Sequence, residues 1–243
     1  MHANFLRALL RLGSLTERSA AVRKGPWLLV DAGVEMDEFN LAVPAERIDD
    51  AALEFAEAIA WHASRGRLCR LMLREETDAA LVAEARRRGF GVSSREPSML
   101  LDELPPVADC PAGLLIREAR TIEDVDAYGR VDAPAWHEVT LGIARTAGSF
   151  PDFVLLLGEL DGVAVTTSMA VVTGDLVGVY NVQVQPEFRR RGLGRAMTAA
   201  ALEAGRRRGA GKASLQATAM GEPLYLAMGF RTVYHYLELA PGG

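Results

Sequence analysis

Gln185-Pro186-Glu187-Phe188-Arg189-Arg190-Arg191-Gly192-Leu193-Gly194-Arg195-Ala196 joins a strand-like run to a helix-like one through a basic, glycine-bearing turn. Upstream, Val177, Val179, Val182 and Val184 make a β-branched apolar stretch; downstream, Leu193, Met197, Ala200, Ala201 and Ala204 recur at helical spacing. The turn therefore falls at a helix N-terminus. The first backbone N–H groups there lack intrahelical partners and the helix dipole is positive, so an anion is stabilised. Gly192 and Gly194 carry no Cβ to hold a ligand away, and the surrounding arginines offer charge-assisted hydrogen bonds to phosphate oxygens. Composition and placement together predict a phosphate-binding loop.

Two kinds of phosphate loop are excluded. A Walker loop needs Lys followed by Ser or Thr after its last glycine, and Arg195-Ala196 stands there instead. A dinucleotide fingerprint needs a third small residue where Met197 sits, and only about 50 residues follow the loop, too few for the rest of a doubly wound sheet. The segment does closely resemble the Arg-x-x-Gly-x-Gly turn of the GCN5-related N-acetyltransferase (GNAT) superfamily, with Arg189, Gly192 and Gly194 preceded by Val184-Gln185-Pro186. A second motif agrees. Lys212 to Ala217 alternate as a strand, with Ala213, Leu215 and Ala217 on one face. Gly221-Glu222-Pro223-Leu224-Tyr225-Leu226-Ala227-Met228-Gly229-Phe230 then resembles the family's short tyrosine-bearing helix, closed by Gly-Phe before a final strand at Thr232 to Leu239. Gly229 is placed for a left-handed helix cap.

Duplication is visible as well. Gly89-Phe90 precedes a strand-like Ser98 to Leu101, as Gly229-Phe230 precedes Tyr234 to Leu239. Carried back, the same offset lays the helical stretch Ala51 to Arg65 on the helix after the loop. Phe39-Asn40-Leu41-Ala42-Val43 likewise matches Tyr180-Asn181-Val182-Gln183-Val184, each run followed by a proline. The fold class expected is α/β (α+β), two GNAT-like repeats, each a mixed, mostly antiparallel sheet flanked by helices. The repeats are expected at 1–107 and 112–243, joined through the proline-rich Leu104 to Pro111. In place of the glycine loop the first half has Ala45-Glu46-Arg47-Ile48-Asp49-Asp50, without glycine and with three acids that would repel a pyrophosphate. Ala85 stands where the second half has Tyr225. One cofactor site is therefore expected, in the C-terminal half, beside a degenerate first half.

The chain has 243 residues, 49% of them hydrophobic and 24% charged, which suits a globular protein with one large or two small cores. A net charge of −5 argues against a nucleic-acid surface. Arg206, Arg207 and Arg208 read as a solvated helix C-terminus. No apolar run approaches the ~20 residues of a membrane span. Met1 to Ala20 is Arg-bearing and mostly free of acid until Glu17, a faint resemblance to a transit peptide; an amphipathic first helix, with Phe5, Leu6, Leu9, Leu10 and Leu12 as its apolar content, is the reading preferred. Cys69 and Cys110 make neither a metal pattern nor a disulfide framework, so a reducing, cytoplasmic location and no metal are expected.

What the resemblance implies is an acetyltransferase using acetyl-coenzyme A. Main-chain amides of Arg189, Arg190, Arg191, Gly192, Leu193, Gly194, Arg195 and Ala196 would hold the pyrophosphate. The strand at Val182, Gln183 and Val184 would splay from its neighbour to receive the pantetheine arm, and a main-chain amide near Val182 would polarise the thioester carbonyl. Tyr225 is the candidate acid for the departing thiolate, since a phenol of pKa about 10 is protonated at neutral pH. The matching strand bears no base: Tyr180, Asn181 and Gln183 accept no proton there. Asp175, His137, Glu138 and His235 are alternatives, as is an amine that arrives neutral. Trp136, His137, Tyr180 and Asn181 are the candidates for lining the acceptor cleft, and the scarcity of fixed charge among them points to a small-molecule amine. Nucleic acid and membrane are not expected partners, and the chain is expected as a monomer or homodimer. Two rivals stay open: a non-catalytic acyl-coenzyme A binder, and the same fold working with a longer acyl donor or a hydroxyl acceptor.

Overall fold

The computed structural model describes residues 1–106, 110–131, 139, 141–143, 145 and 151–242. In chain order the elements are α1 (His2–Leu10), β1 (Ala20–Lys24), β2 (Trp27–Asp31), β3 (Asn40–Pro44), α2 (Ala51–Ser64), β4 (Arg70–Arg74), α3 (Ala79–Arg87) and β5 (Phe90–Leu101). There follow β6 (Leu114–Glu118), α4 (Ile122–Val131), β7 (Phe153–Leu160), β8 (Val163–Thr173), β9 (Leu176–Val184), α5 (Leu193–Arg206), β10 (Lys212–Gln216), α6 (Glu222–Leu226) and β11 (Arg231–Pro241).

These elements fall into two compact units, each a mixed, mostly antiparallel sheet with helices. One unit takes Met99–Gln216 and Gly221–Arg231; the other takes His2–Ser98, Ala217–Met220 and the stretch from Thr232 onward. In the second, the strand order is β1-β2-β3-β4-β11-β5. The last strand of the chain pairs antiparallel with β4, from Tyr236 against Arg74 to Leu239 against Leu71. Its core gathers Trp27, Leu29, Phe55, Leu71, Leu73, Leu81, Leu237 and Leu239. The opening helix is shorter than its apolar content predicts: α1 ends at Leu10 and a 3-10 turn runs over Arg11–Ser14. Within that turn Gly13 is pressed directly on β1: a Cβ there would stand 2.3 Å from the main-chain nitrogen of Ala21.

The unit carrying the glycine loop orders its strands β10-β9-β8-β7-β6. Strands β6 to β9 are antiparallel neighbours, β7-β8 and β8-β9 as hairpins and β6-β7 across α4, whereas β10 joins β9 in parallel after the crossover through α5. Buried contacts run along α5 through Leu193, Ala196, Met197, Ala201, Leu202 and Ala204, with Leu193 and Ala196 meeting Leu114 and Val165 of the sheet. Ser168 Oγ donates to the Met197 carbonyl (3.0 Å), a polar tie between β8 and this helix. Strand β10 departs from the one-faced pattern expected for it, because Ser214 is buried along with Ala213 and Leu215. A parallel strand is ordinarily covered on both faces.

Close packing of α5 on β9 is possible because residue 205 is glycine: a Cβ there would meet Val177 Cβ at 2.5 Å. Gly205→Ala should therefore force the helix off the strand, lowering stability by about 1–3 kcal/mol, read as a lower urea midpoint at constant slope.

Candidate active site

Strand β9 ends at Val184, and the 3-10 turn Pro186–Phe188 leads into the arginine run. Two residues there adopt left-handed backbone, Arg190 (φ 64°) and Gly192 (φ 78°). Alternation of left- and right-handed conformers turns successive N–H groups toward one side, which makes a concave anion cradle. Gly192 is the N-cap of α5 and no side chain caps the helix, so its first amides are left for a ligand. The start of α2 is opposite in this respect. Asp50, the N-cap of α2, accepts from the amides of Ala52 (3.1 Å) and Leu53 (3.0 Å), so its own carboxylate takes the place an anion would need.

The arginines shape the loop as well as charge it. Arg189 Nε donates to the Val184 carbonyl (3.1 Å), Arg195 Nη2 to the Ala227 carbonyl (3.1 Å), and the Arg191 guanidinium lies over the Phe188 ring at 5.2 Å. Leu193 and Ala196 put their side chains into the core, so any ligand contact from them is through the main chain. Arg206 and Arg207 pair with Glu203 of their own helix, as a solvated helix end requires.

Strands β9 and β10 open into a fork. They pair from Leu176 against Lys212 to Gly178 against Ser214, and the register stops there. Along β9, Val177 to Val179 are buried while Tyr180 to Val184 are half-buried, so the strand emerges from cover where its neighbour leaves. On its other edge β9 carries a bulge: Thr167 faces Gln183, yet Met169 faces Tyr180, so Asn181 and Val182 together oppose Ser168. Asn181 takes the left-handed conformation (φ 50°). Thr167 Oγ1 donates to the Asn181 carbonyl (3.2 Å), Thr166 Oγ1 to the Gln183 carbonyl (2.6 Å), and Asn181 Nδ2 to the Tyr128 hydroxyl (3.2 Å).

Tyr225 is buried on α6, its ring edge-on to Phe230 at 5.9 Å between centroids. Burial pushes its phenol above the ordinary range, and a hydrogen bond with Thr198 pulls part of the way back. Thr198 Oγ1 in turn donates to the Gly194 carbonyl (2.8 Å). Phenol, threonine hydroxyl and loop carbonyl thus form one polar chain reaching the start of α5. A Cβ at Gly194 would come within 3.3 Å of Leu224 Cδ2, so that glycine also admits α6.

Of the other candidates, Trp136, His137 and Glu138 lie outside the described residues. Asp175 sits at the end of β9 away from the loop, paired with Lys212 (3.0 Å). His235 Nδ1 is 2.9 Å from Glu76, whose carboxylate also accepts the His235 main-chain N–H, while Arg95 engages Glu75. Glu75, Glu76 and His235 hold potential ligand atoms within 4.8 Å of one another, and these hydrogen bonds and the arginine account for the grouping without an ion. A cavity of about 350 Å³ lined by Cys110, Ile116, Leu156, Ala196, Ala200 and Ala204 flanks α5 and contains none of the fork residues.

Three polar residues escaped the sequence reading. Thr198 had a signal, a hydroxyl one helical turn after Gly194 in an alanine-rich run. Ser214 had a weaker one, a serine between two apolar strand residues; its hydroxyl is buried at the fork and has no hydrogen-bond partner. Tyr128 had none, because only the folded chain brings it to Asn181.

With the loop, the fork and Tyr225 described, comparison with known proteins bears on the family and the fold. The family model described as "Probable histone acetyltransferase Rv0428c C-terminal" matches residues 19–237. The chain belongs to this family. Among solved structures, a GCN5-related N-acetyltransferase from Kribbella flavida is similar at 23% identity and TM-score 0.72, over 98% of this chain and 96% of that one. A tandem GNAT protein from the clavulanic acid biosynthesis pathway is similar at 16% identity and TM-score 0.67, again over 98% and 96%. A GCN5-related N-acetyltransferase from Sphaerobacter thermophilus matches at 18% and 0.61, over 91% and 84%. At these identities the likeness is one of fold. No curated protein matches the chain. Membership of this acetyltransferase family supports acyl transfer as the general activity, and the fold is that of the GCN5-related N-acetyltransferases. No helix of the described residues is long and apolar enough to cross a membrane.

Proposed function

We propose that the protein is an N-acetyltransferase that moves acetyl from acetyl-coenzyme A to the amine of a small molecule by direct attack on the thioester. The observation that carries this reading is the uncapped, left-handed entry to α5 beside a fork in the sheet, with Tyr225 buried against the same helix. The main chain of 189–196 would hold the pyrophosphate, and Ser214 would offer its orphaned hydroxyl to the pantetheine arm at the fork. Bound there, the cofactor supplies an acyl thioester. The amide near Val182 would polarise its carbonyl, and Tyr225 would keep a proton for the leaving thiolate, its burial favouring the neutral phenol. Since β9 offers no carboxylate or imidazole, the amine is read as arriving neutral or losing its proton to water. Tyr180 and Asn181, half-buried on the exposed part of β9, would line the acceptor cleft together with Trp136 and His137.

The 1–107 half would serve as a cofactor-free partner of the 112–243 half, in keeping with the carboxylate cap on α2. The free thiols of Cys69 and Cys110 suit a cytoplasmic protein, monomeric or homodimeric. No metal is required. The lack of a base on β9 also favours a second reading, an acyl-coenzyme A binder without turnover.

A panel of small amines, a hydroxyl acceptor and a histone-tail peptide, incubated with acetyl-coenzyme A and followed by thiol release, separates the readings. Transfer to small amines is the expected result. Preference for the peptide would reassign the acceptor, and binding of the cofactor with no turnover on any acceptor would leave the sensor.

A further inference from the structure

Resting on the reading of β9 as the thioester strand, the inference concerns what holds its polarising amide in place. Val182 lies just past the point where β10 has parted from β9, and it is skipped in the register with β8. The bulge is thus where β9 has main chain matched to neither neighbouring strand, and its conformation decides where the Val182 N–H points. That conformation is unfavourable for a residue other than glycine, though asparagine tolerates it better than most. Here it is held from two sides. Thr167 Oγ1 donates to the Asn181 carbonyl (3.2 Å), and the Asn181 side chain donates to the hydroxyl of Tyr128, a fully buried residue of α4. A left-handed residue tied at both main chain and side chain is over-determined, as strained residues at functional sites are.

We propose that Tyr128 and Asn181 form a positioning pair that aims the Val182 amide at the thioester carbonyl. Neither residue takes part in the proton transfers, and neither belongs to the loop that grips the pyrophosphate. Their loss should therefore weaken polarisation and turnover while sparing affinity, because a misaimed donor forfeits electrostatic stabilisation without removing the larger part of the binding surface.

The test uses the full chain with acetyl-coenzyme A labelled with ¹³C at the thioester carbonyl, whose stretch is followed by isotope-edited infrared spectroscopy. Bound to wild type, the stretch is expected at lower frequency than in free solution. Tyr128→Phe and Asn181→Gly, the latter retaining the backbone freedom, should each give back at least about half of that displacement and lower kcat about tenfold or more. The dissociation constant should stay within about threefold of wild type. The double variant should be no worse than Asn181→Gly alone, since the two residues act as one unit. An unchanged stretch in Tyr128→Phe overturns the pairing, as do additive effects or a fall in melting temperature alone. Wild type that binds acetyl-coenzyme A without displacing the stretch also overturns it. Wild type that does not bind at all instead brings down the acetyltransferase reading beneath it.

Discussion

Gly192→Leu is expected to weaken acetyl-coenzyme A binding by at least about 100-fold in titration calorimetry, a loss of about 2.7 kcal/mol or more. The backbone at residue 192 is left-handed (φ 78°) and opens α5 without a side-chain cap. A side chain there would either stand over the amides that grip the pyrophosphate or drag the turn into another conformation. The protein itself has space for it, since a Cβ would lie 3.7 Å from its nearest atom, Pro111 Cγ. The remaining cost to the fold is the left-handed strain, about 1–2 kcal/mol, or a few degrees in melting temperature. Gly194→Leu should also abolish binding, with a larger stability loss because of its contact with Leu224. Arg47→Ala, in the turn before the carboxylate-capped α2, should leave affinity unchanged. A Gly192→Leu protein that binds as wild type does would remove the ground for placing the cofactor in this loop.

Tyr225→Phe should lower kcat about 100-fold while leaving the cofactor dissociation constant near its wild-type value, the usual scale for loss of a general acid. A tyrosine that merely packed against Phe230 would instead give up about 1 kcal/mol of stability with its Thr198 hydrogen bond, and kcat would hold. The pH profile supplies an independent check. Burial favours the neutral phenol and so moves its pKa up, above the ordinary value near 10. The proton is therefore present throughout the neutral and mildly alkaline range. Activity should decline only beyond the ordinary phenol range, and that decline should vanish in Tyr225→Phe. A decline that persists unchanged in Tyr225→Phe would show that this phenol is not the acid.

Much of this site was legible before folding because its signals are local. The glycine-bearing loop was readable because glycine, proline and a helical apolar period lie within a few residues of one another, and each acts on its own neighbourhood. The short helix of Tyr225 and its Gly229 terminus, left-handed at φ 90°, were readable for the same reason. The close approach of Gly13 to β1 was not, because it is a contact between separate stretches of the chain. Nor was the two-sided burial of Ser214, which depends on what covers β10.

The amino-acid sequence by itself determined that α5 opens on glycine with no side chain to cap it and that α2 opens on a carboxylate. Backbone freedom at Gly192 and the carboxylate at Asp50 are properties of single residues beside a helix end. Only tertiary structure decided that the last strand pairs with β4, that β9 parts from β10 after Gly178, and that Tyr128 reaches across 53 residues to steady Asn181. Such pairings are set by the free energy of contacts between distant stretches, each of which overcomes loop-closure entropy only when the whole fold is in place.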